Sequence, residues 1–370
     1  MEFTVEAPQF AAALEQIQGA VDRKHTIPVL SHCLIEAEEK GLQLVATDLE
    51  VGIRMLCPAQ VKTAGSGAIP AQRLLDIVHS LGDIQVRLRR LENDWVRVTA
   101  ARSVFKLAAM KQEVFPKFPA IPQPLASVPA GVLRGLIERT GFAVTQQEGR
   151  YTLNGALLVL KADRVEMVAT DGSRLALASQ EVTPDGLKDD ERLLIPRRGL
   201  GLLERLTGAL ESEMPIAIAK DDNHLFFTAG DSLLVTRMIA GEFPKYEAVL
   251  PQSNGVSATL DAASFRDALE RVSLLASEHH HGISLALEPG RITISATGGD
   301  TGEATESVDA SWTGERFRIG FNCLFLQDFF SVVRRGEVEI ALKDGETATE
   351  FHPVDNSEFH YRYVVAPLRA

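Results

Sequence analysis

Four sets of residues have the types and spacing to do chemistry. The run His279-His280-His281 offers imidazoles to a metal, and two Thr-Asp pairs, Thr47-Asp48 and Thr170-Asp171, offer carboxylates for hydrolysis. The stretch Thr170-Asp171-Gly172-Ser173-Arg174 offers a tight corner beside a guanidinium fork, and arginines such as Arg197 and Arg198 could hold phosphates. Consecutive histidines point apart, whereas structural zinc pairs need wider spacing, so His279–His281 reads as an exposed loop. A carboxylate pair must flank one bond to hydrolyse it. Asp48 and Asp171 instead sit at equivalent places in different repeats, which separates them. The sequence holds no H-E-x-x-H, P-loop or G-x-S-x-G. The Asp-Gly corner admits two readings, an ordinary capped turn and a recognition site with apolar walls.

The elements that position these residues recur three times. Phe3–Ile17, Ala126–Thr140 and Ala258–Val272 each read as a short alternating strand, a small or capping residue, and a helix with apolar positions three or four apart. The offset that takes Phe10 to Leu133 also takes Thr47-Asp48 to Thr170-Asp171, and a weaker echo lies at Ile294–Gly302. Ala68–Val78, Leu194–Leu206 and Ile319–Val333 each read as a strand running into a second helix. MKQEVFPKFP (Met110–Pro119) matches MIAGEFPKYEAVLP (Met238–Pro251). A repeat at this scale organises a whole fold. The expectation is α+β: three tandem similar domains, 1–122, 123–254 and 255–370, each an antiparallel sheet structure with two helices. Linkers are expected at Pro119–Ser127 and Leu250–Ser257.

Composition narrows the function classes. A chain of 370 residues exceeds one ordinary core. Its 45% hydrophobic and 24% charged residues are those of a soluble globular protein, and no run approaches the ~20 apolar residues of a membrane span. The N-terminal MEFTVEAPQF carries acids and alternates, unlike a signal peptide. Cys33, Cys57 and Cys323 are too scattered for a disulfide framework and read as reduced, buried thiols of a cytoplasmic protein.

The net charge of −12 taken alone counts against a nucleic-acid partner. The helices are less acidic than the chain: they or their flanks carry Arg23, Lys24, Arg73, Arg134, Arg139, Arg197, Arg198, Arg205, Arg266, Arg271, Arg334 and Arg335. Such a distribution either solvates helix faces or holds a polyanion loosely, without sequence preference and with strong salt dependence.

TIPVL (Thr26–Leu30), ATDLE (Ala46–Glu50), RYTLNG (Arg150–Gly155), ATDGSRLA (Ala169–Ala176), IPRRG (Ile195–Gly199), EFPKYEAVLP (Glu242–Pro251) and the terminal YVVAPLR resemble the bacterial sliding clamps, the beta subunits of DNA polymerase III. The resemblance spans the chain in order. It implies a ring-forming homodimer that encircles double-stranded DNA without sequence specificity and tethers the replicative polymerase. No catalysis, cofactor, metal or membrane is implied.

It also implies a partner-peptide cleft. Its apolar walls are Leu153, Leu175, Pro244, Val249, Val364, Ala366, Pro367 and Leu368, and its polar corner is Thr170, Gly172, Ser173, Arg174 and Arg369. The implied occupants are peptides of the polymerase III catalytic subunit, the clamp loader, other DNA polymerases and repair proteins. DNA contacts fall on Arg23, Lys24, Arg73, Arg150, Tyr151, Arg197, Arg198 and Arg205, and the dimer interface on Phe105, Leu274 and Leu275. Ser173, Ala248, Ala366 and Ala370 depart from the family pattern, which implies an altered peptide preference; Val104 replaces a frequent Arg at the interface. The other reading in play is a repeat-built hydrolase or metal-dependent enzyme using Asp171, Arg174 and His279–His281.

Overall fold

The computed structural model describes every residue except 23–25, 148, 251–255, 300, 301, 313, 369 and 370. Arg23, Lys24, Arg369 and Ala370 therefore lie outside the described residues.

Among the described residues, six α-helices form where the sequence expects them: α1 (Ala7–Ile17), α2 (Ala71–His79), α3 (Ala130–Thr140), α4 (Arg197–Gly208), α5 (Ala262–Ser273) and α6 (Cys323–Val332). Each follows directly on a strand, and the junction residues explain the switch. Pro70 and Pro196 occupy the N-caps of α2 and α4, both in non-helical backbone, before the first helical N–H groups are left without acceptors. Asp261 caps α5 by accepting from Ser264 N at 2.8 Å, and Asn322 caps α6 by accepting from Leu324 N at 2.9 Å. Helix α1 turns Phe10, Leu14 and Ile17 inward, all fully buried. Burying such side chains stabilises by ~1.5–3 kcal/mol each.

The chain divides into two compact units that do not coincide with the three repeats. One comprises Met1–Arg134, Pro184–Lys188 and Ile195–Met238; the other comprises Gly135–Thr183, Asp189–Leu194 and Ile239–Ala370. The reason is sheet pairing across repeat borders.

In the first unit, an eight-stranded antiparallel sheet runs in the order Ala126–Pro129, Pro215–Lys220, His224–Ala229, Ser232–Arg237, Val51–Cys57, Gly41–Thr47, His32–Glu38, Gly65–Pro70. Its middle seam pairs Leu233 with Arg54 and Val235 with Gly52, joining the second repeat to the first. A five-stranded sheet completes this unit, in the order Gln60–Thr63, Glu2–Glu6, Gln85–Arg90, Trp95–Ala100, Ser103–Ala108. The last strand has a neighbour on one side only.

The second unit repeats the plan. Its eight-stranded sheet runs Glu191–Pro196, Gly155–Leu160, Val165–Thr170, Arg174–Gln180, His360–Val365, Thr349–Pro353, Glu337–Leu342, Val256–Asp261. The seam here pairs Arg174 with Val365 and Leu175 with Val364, joining the third repeat to the second. A four-stranded sheet runs Glu303–Asp309, Arg291–Thr297, Gly282–Glu288, Phe317–Asn322, and Glu303–Asp309 is again an open edge.

The expected linkers are shorter than their sequence bounds. Ala126 and Ser127 already belong to a strand, as do Val256 and Ser257. The three thiols are free and buried, and burial pushes Cys33 up to about 12 and Cys57 to about 11, so neither is a nucleophile at neutral pH. No described helix is long and apolar enough to cross a membrane.

Candidate functional site

The two Thr-Asp corners share one geometry. Asp171 Oδ1 accepts from Ser173 N (2.9 Å) and Arg174 N (3.0 Å); Thr170 Oγ1 accepts from Gly172 N (3.0 Å) and donates to the Arg174 carbonyl. Asp48 Oδ1 accepts from Glu50 N (2.9 Å) and Val51 N (2.7 Å), and Thr47 Oγ1 accepts from Leu49 N and donates to the Val51 carbonyl. The pairs are side-chain scaffolds for a hairpin corner, and each carboxylate is occupied by its own backbone. The hydrolase reading finds no support in this geometry. Each corner also needs a left-handed residue: Gly172 at φ +90° and Leu49 at φ +77°. Glycine takes that conformation without strain; leucine does not.

What differs is what surrounds the second corner. Leu153, Leu175 and Val364 join one buried apolar cluster with Leu157, Val168, Phe243 and Tyr246. Thr170 is buried at its corner, while Gly172 and Ser173 are exposed. The tail is tied to the corner, Ala366 N donating to the Ser173 carbonyl at 2.8 Å, and Leu368 N donates to the Gly320 carbonyl at 2.8 Å. Pro244, Val249, Ala366 and Leu368 are exposed and Pro367 is half-buried; Leu368 packs against Gly282 and Gly320. Pro244 lies between Phe243 and Tyr246 of that cluster and Ala366 follows its Val364 by two residues, which leaves apolar side chains in solvent beside a buried apolar floor. That arrangement suits an extended apolar peptide.

Arg174, expected to supply a donor fork, is heavily engaged within the protein. Its side chain is only 10% exposed. Nε donates to Asp171 Oδ2 (3.0 Å), Nη1 to Asp328 Oδ2 (2.5 Å) and Tyr363 Oη (3.4 Å), and Nη2 to the Phe142 carbonyl (2.9 Å). Phe325 lies under the guanidinium at 4.4 Å. Burial disfavours the cation, but the Tyr363 and Asp328 oxygens outweigh it and raise its pKa further. Most of the fork is spent inside the protein, because the corner's own acid and an acid on α6 compete for it first. Asp328, Tyr363 and Phe142 were not legible as partners. The one usable signal was Asp328 itself, the lone charge on α6.

The expected phosphate contacts sort by exposure and pairing. Arg73, Arg197 and Arg205 are exposed and make no ion pair with an acid among the described residues. Arg198 is engaged: it pairs with the buried Asp48 carboxylate and donates to the Gly19 carbonyl at 3.3 Å. Arg150 reaches across the second corner, Nη1 donating to the Asp171 carbonyl at 2.7 Å, and Tyr151 beside it is 60% exposed. Arg134, Arg139, Arg266 and Arg271 are consumed by carbonyls, an aromatic ring or acids of their own unit.

Phe105 is half-buried on the open strand Ser103–Ala108, Leu275 is half-buried after α5, and Leu274 is 82% exposed. His279 and His280 are exposed and His281 half-buried. Among the described residues no group of three His, Cys, Asp or Glu side chains is placed to hold a metal.

Comparison with known proteins assigns the whole chain. Residues 1–119, 127–245 and 247–369 match the DNA polymerase III beta subunit N-terminal, central and C-terminal domains. The chain is 34% identical over 372 residues to the beta sliding clamp of Pseudomonas aeruginosa, with all of both chains covered. It is 31% identical over 377 residues to that of Vibrio cholerae, again over all of both. A solved Pseudomonas aeruginosa sliding clamp bound to griselimycin superposes with a TM-score of 0.91 at 34% identity over all of both chains. The Caulobacter crescentus beta sliding clamp superposes with 0.91 at 31% identity, covering 100% of this chain and 99% of that one. Three tandem clamp domains, antiparallel sheets with paired helices and full-length identity of this order agree: the chain belongs to the DNA polymerase III beta subunit family, the bacterial beta sliding clamps.

Proposed function

We propose that two copies of the chain close into a ring around double-stranded DNA and that the ring tethers the replicative polymerase. The observation that carries this is the count of sheet seams. Two seams between successive repeats are made within the chain. The third repeat has the strand that such a seam needs, Glu303–Asp309, and the first repeat has its complement, Ser103–Ala108. Both are left as open edges, which soluble proteins normally cover. A second copy supplies both partners.

The repeat also sets the register. Gly52 and Glu303 follow equivalent strand pairs, opposite Thr47 and Thr297. Val235 and Lys106 each lie three residues into equivalent hairpin strands that begin at Ser232 and Ser103. Since Val235 pairs with Gly52, the same register sets Lys106 opposite Glu303 of the second copy, an attractive pair. Phe105, Leu274 and Leu275 supply apolar surface at this interface.

The domains are 1–122, 123–254 and 255–370. Exposed Arg73, Arg197 and Arg205, with Arg23, Lys24, Arg150 and Tyr151, meet phosphates weakly enough to slide; Arg198 contributes less because Asp48 holds it. The second-repeat cleft takes extended peptides from the polymerase III catalytic subunit, the clamp loader, other polymerases and repair proteins. Arg369 belongs to its polar set, and its preference is set by Ser173, Ala248, Ala366 and Ala370. The protein acts in the cytoplasm without cofactor and catalyses nothing: enclosure keeps a bound polymerase at high effective concentration on its template.

The decisive experiment loads the protein on nicked circular plasmid and then linearises it. Retention on the circle and release on cutting is the expected result. Retention that ignores DNA topology, or a monomer at micromolar concentration, overturns the proposal.

A further inference from the structure

The first repeat carries its own copy of the corner and seam that underlie the candidate cleft, and a part of the chain lies across it. By register, Gly52 and Val235 stand where Leu175 and Val364 stand in the second unit. Residue 52 has no side chain, and Phe118 takes the space. A Cβ at Gly52 would lie 2.7 Å from a Phe118 ring carbon. The ring packs on two buried clusters at once, one around Leu30, Leu34 and Val45, the other around Phe226, Leu233 and Val235.

Two cavities flank this ring. One, of about 250 Å³, is lined by Thr47, Leu49, Gly52 and Val235; the other, of about 560 Å³, by Leu34, Gln43, Val45 and Arg54. Pro116, Lys117 and Phe118 line both, so the segment divides what would otherwise be one groove. Its counterpart in the second unit, Pro244-Lys245-Tyr246, behaves differently. Tyr246 is buried beside Leu175, with the Arg192 guanidinium 5.8 Å from its ring. A polar tip held by Arg192 keeps that ring in the floor, whereas Phe118 has no such tip and lies over glycine.

We infer that the segment Pro116–Pro119 is an internal occupant of a second peptide groove, and that Phe118 is the residue that closes it. The inference rests on reading the second-repeat cleft as a peptide site, and it explains how a chain with two copies of the corner offers one open cleft.

The test is calorimetric titration of the full-length protein with the synthetic peptide EVFPKFPAI, the chain's own residues 113–121. Phe118→Ala should take up one equivalent more than the wild type, with at least tenfold tighter binding at that added site. The peptide with its second Phe changed to Ala should not fill it. Uptake by the wild type reports on the second-repeat cleft and the increment reports on the groove, so the two readings fail separately. A folded Phe118→Ala with no increment overturns the inference. Should that variant not fold, Gly52→Leu serves. Its side chain must expel the ring, so tryptic cleavage after Lys117 should accelerate at least tenfold; an unchanged rate overturns the inference equally.

Discussion

Arg174 separates two roles that the sequence alone joins, and Arg174→Ala measures which one operates. The substitution removes four hydrogen bonds and a ring contact from a side chain that is 10% exposed. The full ~3–5 kcal/mol for breaking a buried ion pair does not apply. Asp171 keeps two backbone N–H donors, and Asp328 is 41% exposed and rehydrates, which leaves about 1 kcal/mol for the charge pairs. Loss of the cation over Phe325 adds about 1 kcal/mol, and loss of the buried alkyl stem about 1 kcal/mol more. The sum is about 3 kcal/mol. Trp312 is buried in the same compact unit and Trp95 belongs to the other, so urea unfolding followed by tryptophan fluorescence in a Trp95→Phe background reads this unit. Arg174→Ala should lower the urea midpoint with unchanged slope, and a double-mutant cycle with Asp328→Asn should return about 1 kcal/mol of coupling. At temperatures where the variant is folded, it should still bind partner peptide. An unshifted midpoint with abolished peptide binding would show instead that the guanidinium works as a fork open to the ligand, and the reasoning from its pairing would fail.

Five further substitutions follow from the same geometry. Arg197→Ala should leave stability unchanged and reduce the salt slope of DNA binding by about one, whereas Arg198→Ala should cost about 1–3 kcal/mol because it strips a buried carboxylate of its cation; thermal unfolding and salt titration together distinguish them. Leu49→Gly should stabilise by up to about 1.5 kcal/mol, relief of ~1–2 kcal/mol of left-handed strain less ~0.5–1 kcal/mol of glycine entropy, and Gly172→Ala should destabilise, since residue 172 holds φ +90° and a Cβ there would also displace Arg150 Nη1. Burial works against ionisation of Glu166, but hydrogen bonds from Arg164 and Lys161 prevail and hold its carboxyl below the ordinary range. A depressed native pKa stabilises above the unfolded value and is lost as pH falls through the native one. Glu166→Gln should therefore flatten the acid limb of stability below about pH 5, and a parallel limb would count against the ion pairs.

Helix boundaries were legible because each strand-to-helix switch is local: a proline, aspartate or asparagine at the cap of α2, α4, α5 and α6, a proline in the first turn of α1, and an apolar period immediately after. The repeat made the corners legible for the same reason, since Thr-Asp acts on backbone two to four residues away. What the sequence withheld is non-local. Arg174 finds Asp328 at a separation of 154 residues and Tyr363 at 189, and no window scan connects them. Nor does a repeat unit announce that its edge strand pairs with the next repeat rather than closing its own sheet, which is why three repeats pack as two compact units. The pairing of the helix arginines was hidden for a related reason. Exposure follows from helix periodicity, but capture by Asp48 or Glu306 depends on which element packs opposite.

The two seams inside the chain share a device. At the first, Arg198 on α4 grips the corner acid Asp48; at the second, Arg174 ties the corner acid Asp171 to Asp328 on α6. Each corner is thereby bolted by an ion pair to a helix of the next repeat, in addition to the strand pairing. In the third corner the equivalent backbone bond runs from Gly298 N to the Gly302 carbonyl, so a glycine stands where Asp48 and Asp171 stand. If a second copy completes that seam, it does so with strand pairing, exposed apolar residues such as Leu274 and the Lys106–Glu303 pair, but without a carboxylate at that position to bolt the corner. Exposed pairs contribute little and are screened by salt, so the seam between copies is the weakest of the three. A ring that must open to admit DNA should yield at that seam.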